Sequence, residues 1–361
     1  MKVNPHIKPK NNSTSIVMLD VIIALLPLVV AAYVAYGQQA LLLIATAIVS
    51  AILADFLFSA LYARKFTTVL DGSAVITALL LSFTLSPVTP CYVVAFGGFS
   101  AVIFGKMLWG GLGKNRFNPA LVGREFMAAF FPVMASSAIW DTKRLINIES
   151  KNIFGGLQDS YLSGYLSDLI YKPTGAMGEY SIALIALGGL YLILRKRISW
   201  HIPFTLLVVF SIGFWLVDDG DDLKYSIAGV LLGSLFMATD MPSSPNSPYG
   251  KMYYGGMIGL VSFIFIAAGV RFEYMSFSIL ILNGFSSQIN DVFRPRVWGR
   301  EEDTKIKVEK IFLLTLTVLV ITMAVLSLHY YQLIRYLVYI YIIYIIFKFN
   351  FSFIKNISNP I

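Results

Sequence analysis

Metal-binding and disulfide-forming side chains are scarce in this chain. It has one cysteine, Cys91, and three histidines, His6, His201 and His329. A single thiol closes no internal disulfide and holds no four-cysteine iron–sulfur cluster. The histidines are scattered and none is paired at helical spacing, so the sequence offers neither a haem nor a zinc site. An electron carrier here would have to be organic, or shared with another subunit. Charge is scarce as well. Asp, Glu, Lys and Arg make up 13% of the 361 residues and hydrophobic residues 57%, against about 25% and about 45–50% in soluble globular domains. That departure excludes an ordinary soluble enzyme.

Long apolar runs take the place of charge. They come in lengths of about 17–25 residues, the length a helix needs to cross a hydrocarbon core of about 30 Å. The runs fall at 15–36, 39–62, 71–87, 91–109, 117–135, 179–195, 202–217, 224–238, 252–270 and 274–288. They predict an all-α membrane protein of about ten spans. The polar residues 1–14 lead into a full-length run without a small-residue cleavage pattern, which reads as a cytoplasmic tail rather than a removed leader.

The net charge of +8 is a topology signal here, not a nucleic-acid footprint. Lys8 and Lys10 precede the first run. Arg64 and Lys65 follow the second, Lys114 and Arg116 the fourth, Arg195, Lys196 and Arg197 the sixth, Lys251 the eighth, and Arg294, Arg296 and Arg300 the tenth. Counted through the spans, all lie on one side, and the positive-inside rule makes that side cytoplasmic. The opposite connections are short or acidic, apart from the long segment 136–178, a length that points to function. That segment divides the chain into residues 15–135 and 179–299, five spans each. An odd number per half makes the second half enter from the opposite side, an inverted repeat in which broken helices meet near the midplane.

Polar groups at the ends of the short runs are the candidate ion path. Asp71-Gly-Ser opens the third run, where Asp71 and Ser73 equally suit a helix start. Gly110-Gly-Leu-Gly-Lys-Asn-Arg-Phe-Asn-Pro lacks the spacing and the preceding strand of a dinucleotide fingerprint. It reads either as a turn before Pro119 or as an unwound segment whose Asn115 and Asn118 line a polar, cofactor-contacting cavity. Arg124 and Glu125 lie inside the fifth run, where ionisable groups are costly and face a partner or a pathway. Glu179 opens the sixth run and Asp240 closes the eighth, each a helix-end group or a carboxylate on a cation path. The expectation is that Asp71, Glu179 and Asp240 surround one central region.

In order, Asn4-Pro-His6, Ser13-Thr-Ser with Met18-Leu-Asp20, Asp71-Gly-Ser-Ala-Val, the Gly110–Ala120 segment, Gly175-Ala-Met-Gly-Glu179, Arg195-Lys-Arg-Ile-Ser-Trp200-His-Ile-Pro203, Met237-Ala-Thr-Asp240-Met-Pro-Ser-Ser-Pro and Asn283-Gly-Phe-Ser with Arg294-Pro-Arg-Val-Trp-Gly299 resemble the RnfD/NqrB family over about residues 4–300. The resemblance implies a urea-transporter-like fold and a role in a complex that couples electron transfer to Na⁺ or H⁺ export across the bacterial inner membrane. Ferredoxin would be the donor and NAD⁺ the acceptor in the Rnf arm, NADH the donor and quinone the acceptor in the NQR arm. The short N-terminal tail favours Rnf, and the partners implied are its A, B, C, E and G subunits. A solute channel of the same fold is the competing reading. The family carries FMN in a phosphoester to a threonine of the loop between spans five and six, in an Asp-x-x-Ser/Thr-Gly/Ser-Ala-Thr motif. No stretch of 136–178 fits that motif. The partial matches lie at Thr142, Ser163 and Thr174, and noncovalent FMN, attachment at Thr142 or Ser163, and no FMN all stay open.

Beyond residue 299 a charged stretch leads to an eleventh apolar run at 311–328 and an aromatic-rich run at 330–348. The eleventh is expected to cross once, which would put the residues after it outside. It resembles the N-terminal anchor of the family's G subunit, and a truncated D–G fusion and an added helix are the two explanations.

Overall fold

The computed structural model describes residues 14–63, 71–136, 140, 175–217, 225–294 and 304–358, and over these the protein is helical without a strand. Its α-helices are α1 (Thr14–Tyr36), α2 (Gln38–Phe58), α3 (Ser73–Phe83), α4 (Cys91–Gly105), α5 (Pro119–Phe130), α6 (Ile182–Leu194), α7 (His201–Leu216), α8 (Ile227–Leu232), α9 (Pro248–Ala267), α10 (Tyr274–Val292), α11 (Thr304–Tyr330) and α12 (Ile334–Ser358). A π-turn, Gly233–Met237, prolongs α8. Every apolar run expected from the sequence carries a helix. Six of these helices are long and apolar enough to cross a bilayer, and four shorter apolar ones pack among them. The protein is an all-α, multi-pass membrane protein.

The two shortest members explain the architecture. α3 has 11 residues, and α8 with its π-turn covers Ile227–Met237. At 1.5 Å per residue each spans about 16 Å, half the hydrocarbon thickness. They occupy the third place in each half, and the packing of one half repeats in the other. α2 lies on α4 as α7 lies on α9; α4 lies on α5 as α9 lies on α10; α1 and α6 pack against one another, as do α5 and α10. Small residues make the matching contacts possible. A Cβ at Gly98 on α4 would lie 2.8 Å from the Ala47 carbonyl of α2, and one at Gly259 on α9 would lie 2.5 Å from the Leu206 carbonyl of α7. Apolar side chains gain nothing by leaving lipid for one another, so close backbone approach of this kind holds membrane helices together.

The C-terminal helices form a hairpin against this core. The turn 331–333 reverses the chain, with Gln332 at φ 57. α11 packs on α9 and α10, where Tyr253 and Thr315 hydroxyls meet at 2.8 Å. α12 returns along α5. Tyr341 Oη accepts from Trp109 Nε1 at 2.9 Å and donates to the Phe104 carbonyl at 2.8 Å, and Lys348 Nζ sits 3.4 Å from the centre of the Trp109 ring. The helix over 330–348 therefore runs antiparallel to α11, and the far end of α12 lies on the side where α5 begins.

Candidate functional site

Two cavities lie on opposite sides of the crossing half-helices. The first, of about 140 Å³, is lined by Ser73, Thr77, Lys106, Asn115, Asn118 and Asp240 among others. Its polar groups are chained. Lys106 Nζ pairs with Asp55 Oδ2 at 2.8 Å, both side chains almost fully buried. The same ammonium donates to Ser73 Oγ at 2.5 Å, and that hydroxyl donates to Asp71 Oδ1 at 2.5 Å. Asp71 Oδ1 also accepts from the backbone N–H of Ser73 at 2.8 Å, so the carboxylate, not the serine, satisfies the start of α3. Gly72 between them has φ 78, a conformation that glycine adopts without steric cost.

Across this cavity Asn118 caps α5, its Oδ1 accepting from Ala120 N at 3.0 Å and Leu121 N at 3.4 Å, while its Nδ2 donates to the Met237 carbonyl at 3.0 Å. Asn115 Nδ2 donates to Asp240 Oδ2 at 2.9 Å, which also accepts from Ser243 Oγ at 2.8 Å. The Asn-x-x-Asn segment before α5 is thus tied to the end of α8, the equivalent broken helix of the other half. Nearby, Asp20 of α1 receives Arg197 Nε at 2.6 Å and Arg195 at 3.1 Å, which locks the connection after α6 to the first helix. The Asp20 hydrogen bond and charge raise the Arg195 guanidinium further above its usual value.

The second cavity, of about 650 Å³, is lined by Thr84, Arg124, Trp140, Glu179, Ser226 and Tyr274 among others. Arg124 donates to two main-chain carbonyls, Thr84 at 3.0 Å and Phe272 at 2.6 Å, and lies 5.7 Å from the Trp140 ring centre. Trp140 stacks on Phe272 at 4.6 Å. Glu179 hydrogen-bonds Ser226, the residue that caps α8. A Cβ at Gly229 would lie 2.7 Å from Glu179 Oε1, so the carboxylate reaches the first turn of α8 only because that residue is glycine. Negative charge at a helix start is favoured by the aligned peptide dipoles.

The layer between the cavities is thin. On α3 the first cavity reaches Leu80 and the second begins at Thr84; on α5 the boundary falls between Ala120 and Leu121; on α8 and its π-turn, Phe236 faces the first and Met237 the second. Leu80, Leu121, Phe236 and Met237 form this septum, and all four are buried. α3 begins at the first cavity and ends at the second, while α8 begins at the second and ends at the first. The half-helices are antiparallel, as an inverted repeat requires.

The structure brings Asn115 and Asp240 into direct contact and places Arg124 and Glu179 in one cavity. It sets Asp71, Asp240 and Glu179 apart, the first two at the first cavity and Glu179 at the second. Glu125 points to the side of the bundle covered by α11 and α12, and only Ser276, at 2.5 Å, joins it to the second cavity. Thr142, Ser163 and Thr174 lie outside the described residues. Sequence reasoning passed over the Asp55–Lys106 pair, although a charge inside each of two spanning runs was the signal. Asp20, part of the Met18-Leu-Asp20 motif and carrying the same signal of a charge inside a run, was given no role, and Ser226 and Ser276, which no local pattern marks, were missed. Among the described residues no group of three His, Cys, Asp or Glu side chains could hold a metal ion.

The chain matches the model of the NQR2, RnfD, RnfE family over residues 1–299. It is 35% identical to the D subunit of the Na⁺-translocating ferredoxin:NAD⁺ oxidoreductase complex of Acetobacterium woodii, over 85% of this chain and 96% of that one. It is 33% identical to the D subunit of the proton-translocating ferredoxin:NAD⁺ oxidoreductase complex of Clostridium ljungdahlii, over 82% and 95%. The D subunit of an ion-translocating oxidoreductase complex of Alcanivorax borkumensis is 31% identical over 84% and 97%.

Proposed function

We infer the function from one premise: the chain belongs to the NQR2, RnfD, RnfE family. On this reading it is the D subunit of an Rnf-type complex in the inner membrane, with its N-terminus cytoplasmic. The complex passes electrons from ferredoxin to NAD⁺ and exports Na⁺ or H⁺. The observation that carries the reading is the pair of relatives named as D subunits of ferredoxin:NAD⁺ oxidoreductases, each matched over more than four-fifths of this chain. With its single cysteine and scattered histidines the chain completes no electron route alone, so it works with the other subunits of that complex. The first cavity faces the cytoplasm, because Lys114, Arg116, Arg195 and Arg197 cluster at its end of the bundle.

The second cavity is the proposed place for FMN. Its volume lies within the roughly 300–1,000 Å³ range of small-molecule sites. Arg124 suits an anionic part of the cofactor, while Trp140, Phe272 and Tyr274 offer aromatic faces to a planar ring. FMN supplies one- and two-electron transfer. The chain's own part would be to bind the cofactor with Arg124 and these aromatic side chains, to keep Glu179 at the start of α8 as a cation partner, and to close the way to the first cavity with the septum. Arg124, Arg271 and Glu179 are the basic and carboxylic side chains among the described residues of its lining.

In-gel fluorescence and absorbance of the purified complex test this. Flavin comigrating with the chain is the expected result. A complex with no flavin, or a chain that purifies alone and transports a neutral solute, points instead to a channel of the same fold. Glu179→Gln should lower ion transport several-fold with assembly unchanged.

A further inference from the structure

The C-terminal hairpin covers a part of the core that the second cavity does not use. α11 and α12 lie beyond residue 299, where the family match ends. Between their turn, α5 and the connection before α10 they frame a polar vestibule of about 910 Å³, whose lining includes Glu125, Glu273, His329 and Arg335. Glu125 is 7% exposed. Its Oε1 accepts from Ser276 Oγ at 2.5 Å, and its Oε2 has no hydrogen-bond partner. A buried polar atom without a partner is destabilising, and more so when charged. Arg124, next to it in sequence, does not meet the need, because its guanidinium serves the carbonyls of Thr84 and Phe272. On the far side of Glu125 lies a largely apolar cleft of about 430 Å³, lined by Phe117, Phe126, Phe277 and Val338 among others.

The vestibule end holds a titratable pair. His329 Nδ1 lies 3.5 Å from Glu273 Oε2, with the imidazole 36% exposed and the carboxylate 22%. His329 lies in the last turn of α11, so the hairpin itself contributes the group that meets water. On the inner side Ser276 lines the second cavity while holding Glu125. An exposed imidazole, a half-buried carboxylate, a buried carboxyl with a free oxygen and a hydroxyl therefore lead from the outer surface of the bundle to the second cavity.

We propose that Glu125 exchanges protons between the vestibule framed by the C-terminal hairpin and the second cavity, with His329 and Glu273 as its entrance and Ser276 as its inner contact. His329 takes a proton from solvent and releases it to the Glu273 carboxylate. Glu273 passes it to Oε2 of Glu125. A half-turn of the carboxyl then brings that O–H to Ser276, and the bond breaks as Ser276 Oγ gains the proton and gives its own to water in the second cavity. Glu273 reprotonates the carboxylate, so that Glu125 waits as the acid, Ser276 is again a hydroxyl and one proton has been handed on. A single free carboxylate oxygen suits a proton and not a metal cation, which needs a shell of several oxygen ligands. The inference rests on reading the second cavity as the ion-linked site.

Infrared difference spectroscopy of the full-length chain in lipid nanodiscs, after a rapid change from H₂O to D₂O, tests the branch without any partner subunit. The expected result is a carboxylic C=O band that Glu125→Gln removes and Glu125→Asp shifts. Its deuteration should slow on the order of a hundredfold in His329→Ala, the scale of a lost acid–base group, and recover with added imidazole. Deuteration at the unaltered rate in both His329→Ala and Glu273→Gln would overturn the entrance, and a band indifferent to both Glu125 variants would overturn the carrier. In the assembled complex Ser276→Ala should lower proton uptake per bound flavin. Uptake unchanged in Ser276→Ala would overturn the inner contact, whereas a complex with no flavin would sink the proposed function and leave the infrared result standing.

Discussion

At the scale of single residues the first cavity depends on a buried charge pair. Asp55 lies on α2 and Lys106 just past the end of α4, and they meet at 2.8 Å with 0% and 3% of their side chains exposed. Removing one partner leaves the other charged and unpaired, which costs about 3–5 kcal/mol, whereas removing both is close to neutral. Lys106→Met should therefore lower the thermal unfolding temperature of the purified protein markedly, and adding Asp55→Asn should restore most of it. A double variant no better than Lys106→Met would deny the pairing. Gly229 is a second test. A Cβ there would press on the Glu179 carboxylate, so Gly229→Ala should weaken ion transport as Glu179→Gln does, with both variants assembling normally. Residues of this kind are only partly legible in a sequence. Asp71, Arg124, Glu179 and Asp240 stand out because a charge beside an apolar run needs a reason. Their partners do not stand out. Ser226 and Ser276 are ordinary serines until α8 and α10 fold against the carboxylates of Glu179 and Glu125. The grouping of Asp71 with Asp240 and away from Glu179 depends on which end of a half-helix each occupies, and that needs the direction of both half-helices at once.

At the scale of elements, most of the fold was open to inspection. Each apolar run became a helix, and the third run of each half became one member of the antiparallel pair α3 and α8. Length and hydropathy determine this much, because a bilayer leaves helices few alternatives. They do not fix the return of α12, whose Ile, Tyr and Phe residues suit lipid contact whether or not the segment crosses. The contacts of Tyr341 and Lys348 with Trp109 decide it. Cysteine scanning checks the result: Tyr331→Cys, in the exposed turn, should react with an impermeant thiol reagent from one side of sealed vesicles, and Phe351→Cys from the other. Labelling of both from one side would mean that α12 does not cross. The α7–α9 contact makes a further prediction. A side chain at Gly259 meets the Leu206 backbone, which cannot rotate away. Gly259→Leu should separate the helices and destabilise the protein by more than the roughly 1–3 kcal/mol of ordinary core overpacking, read as loss of the monodisperse peak on heating.

For the whole molecule, the two cavities and the layer between them are the main result of the inverted repeat. Because Leu80, Leu121, Phe236 and Met237 close the passage, Leu121→Ser should raise passive cation leak in reconstituted vesicles without donor or acceptor present, and a leak equal to that of the unaltered protein would show that the barrier lies elsewhere. The thinness of that layer also has an electrical consequence. Where water fills the two cavities it conducts, so a membrane voltage would not fall evenly over the full bilayer. It falls across the insulating layer, which on α3 separates Leu80 from Thr84, about 6 Å of helix. An ion carried over that short step does the electrical work of the entire crossing, about 2.3 kcal/mol per 100 mV for each unit of charge. A side-chain movement of a few ångströms at one layer of apolar residues is then enough to work against the whole membrane voltage, and no helix needs to slide through the bilayer to do it.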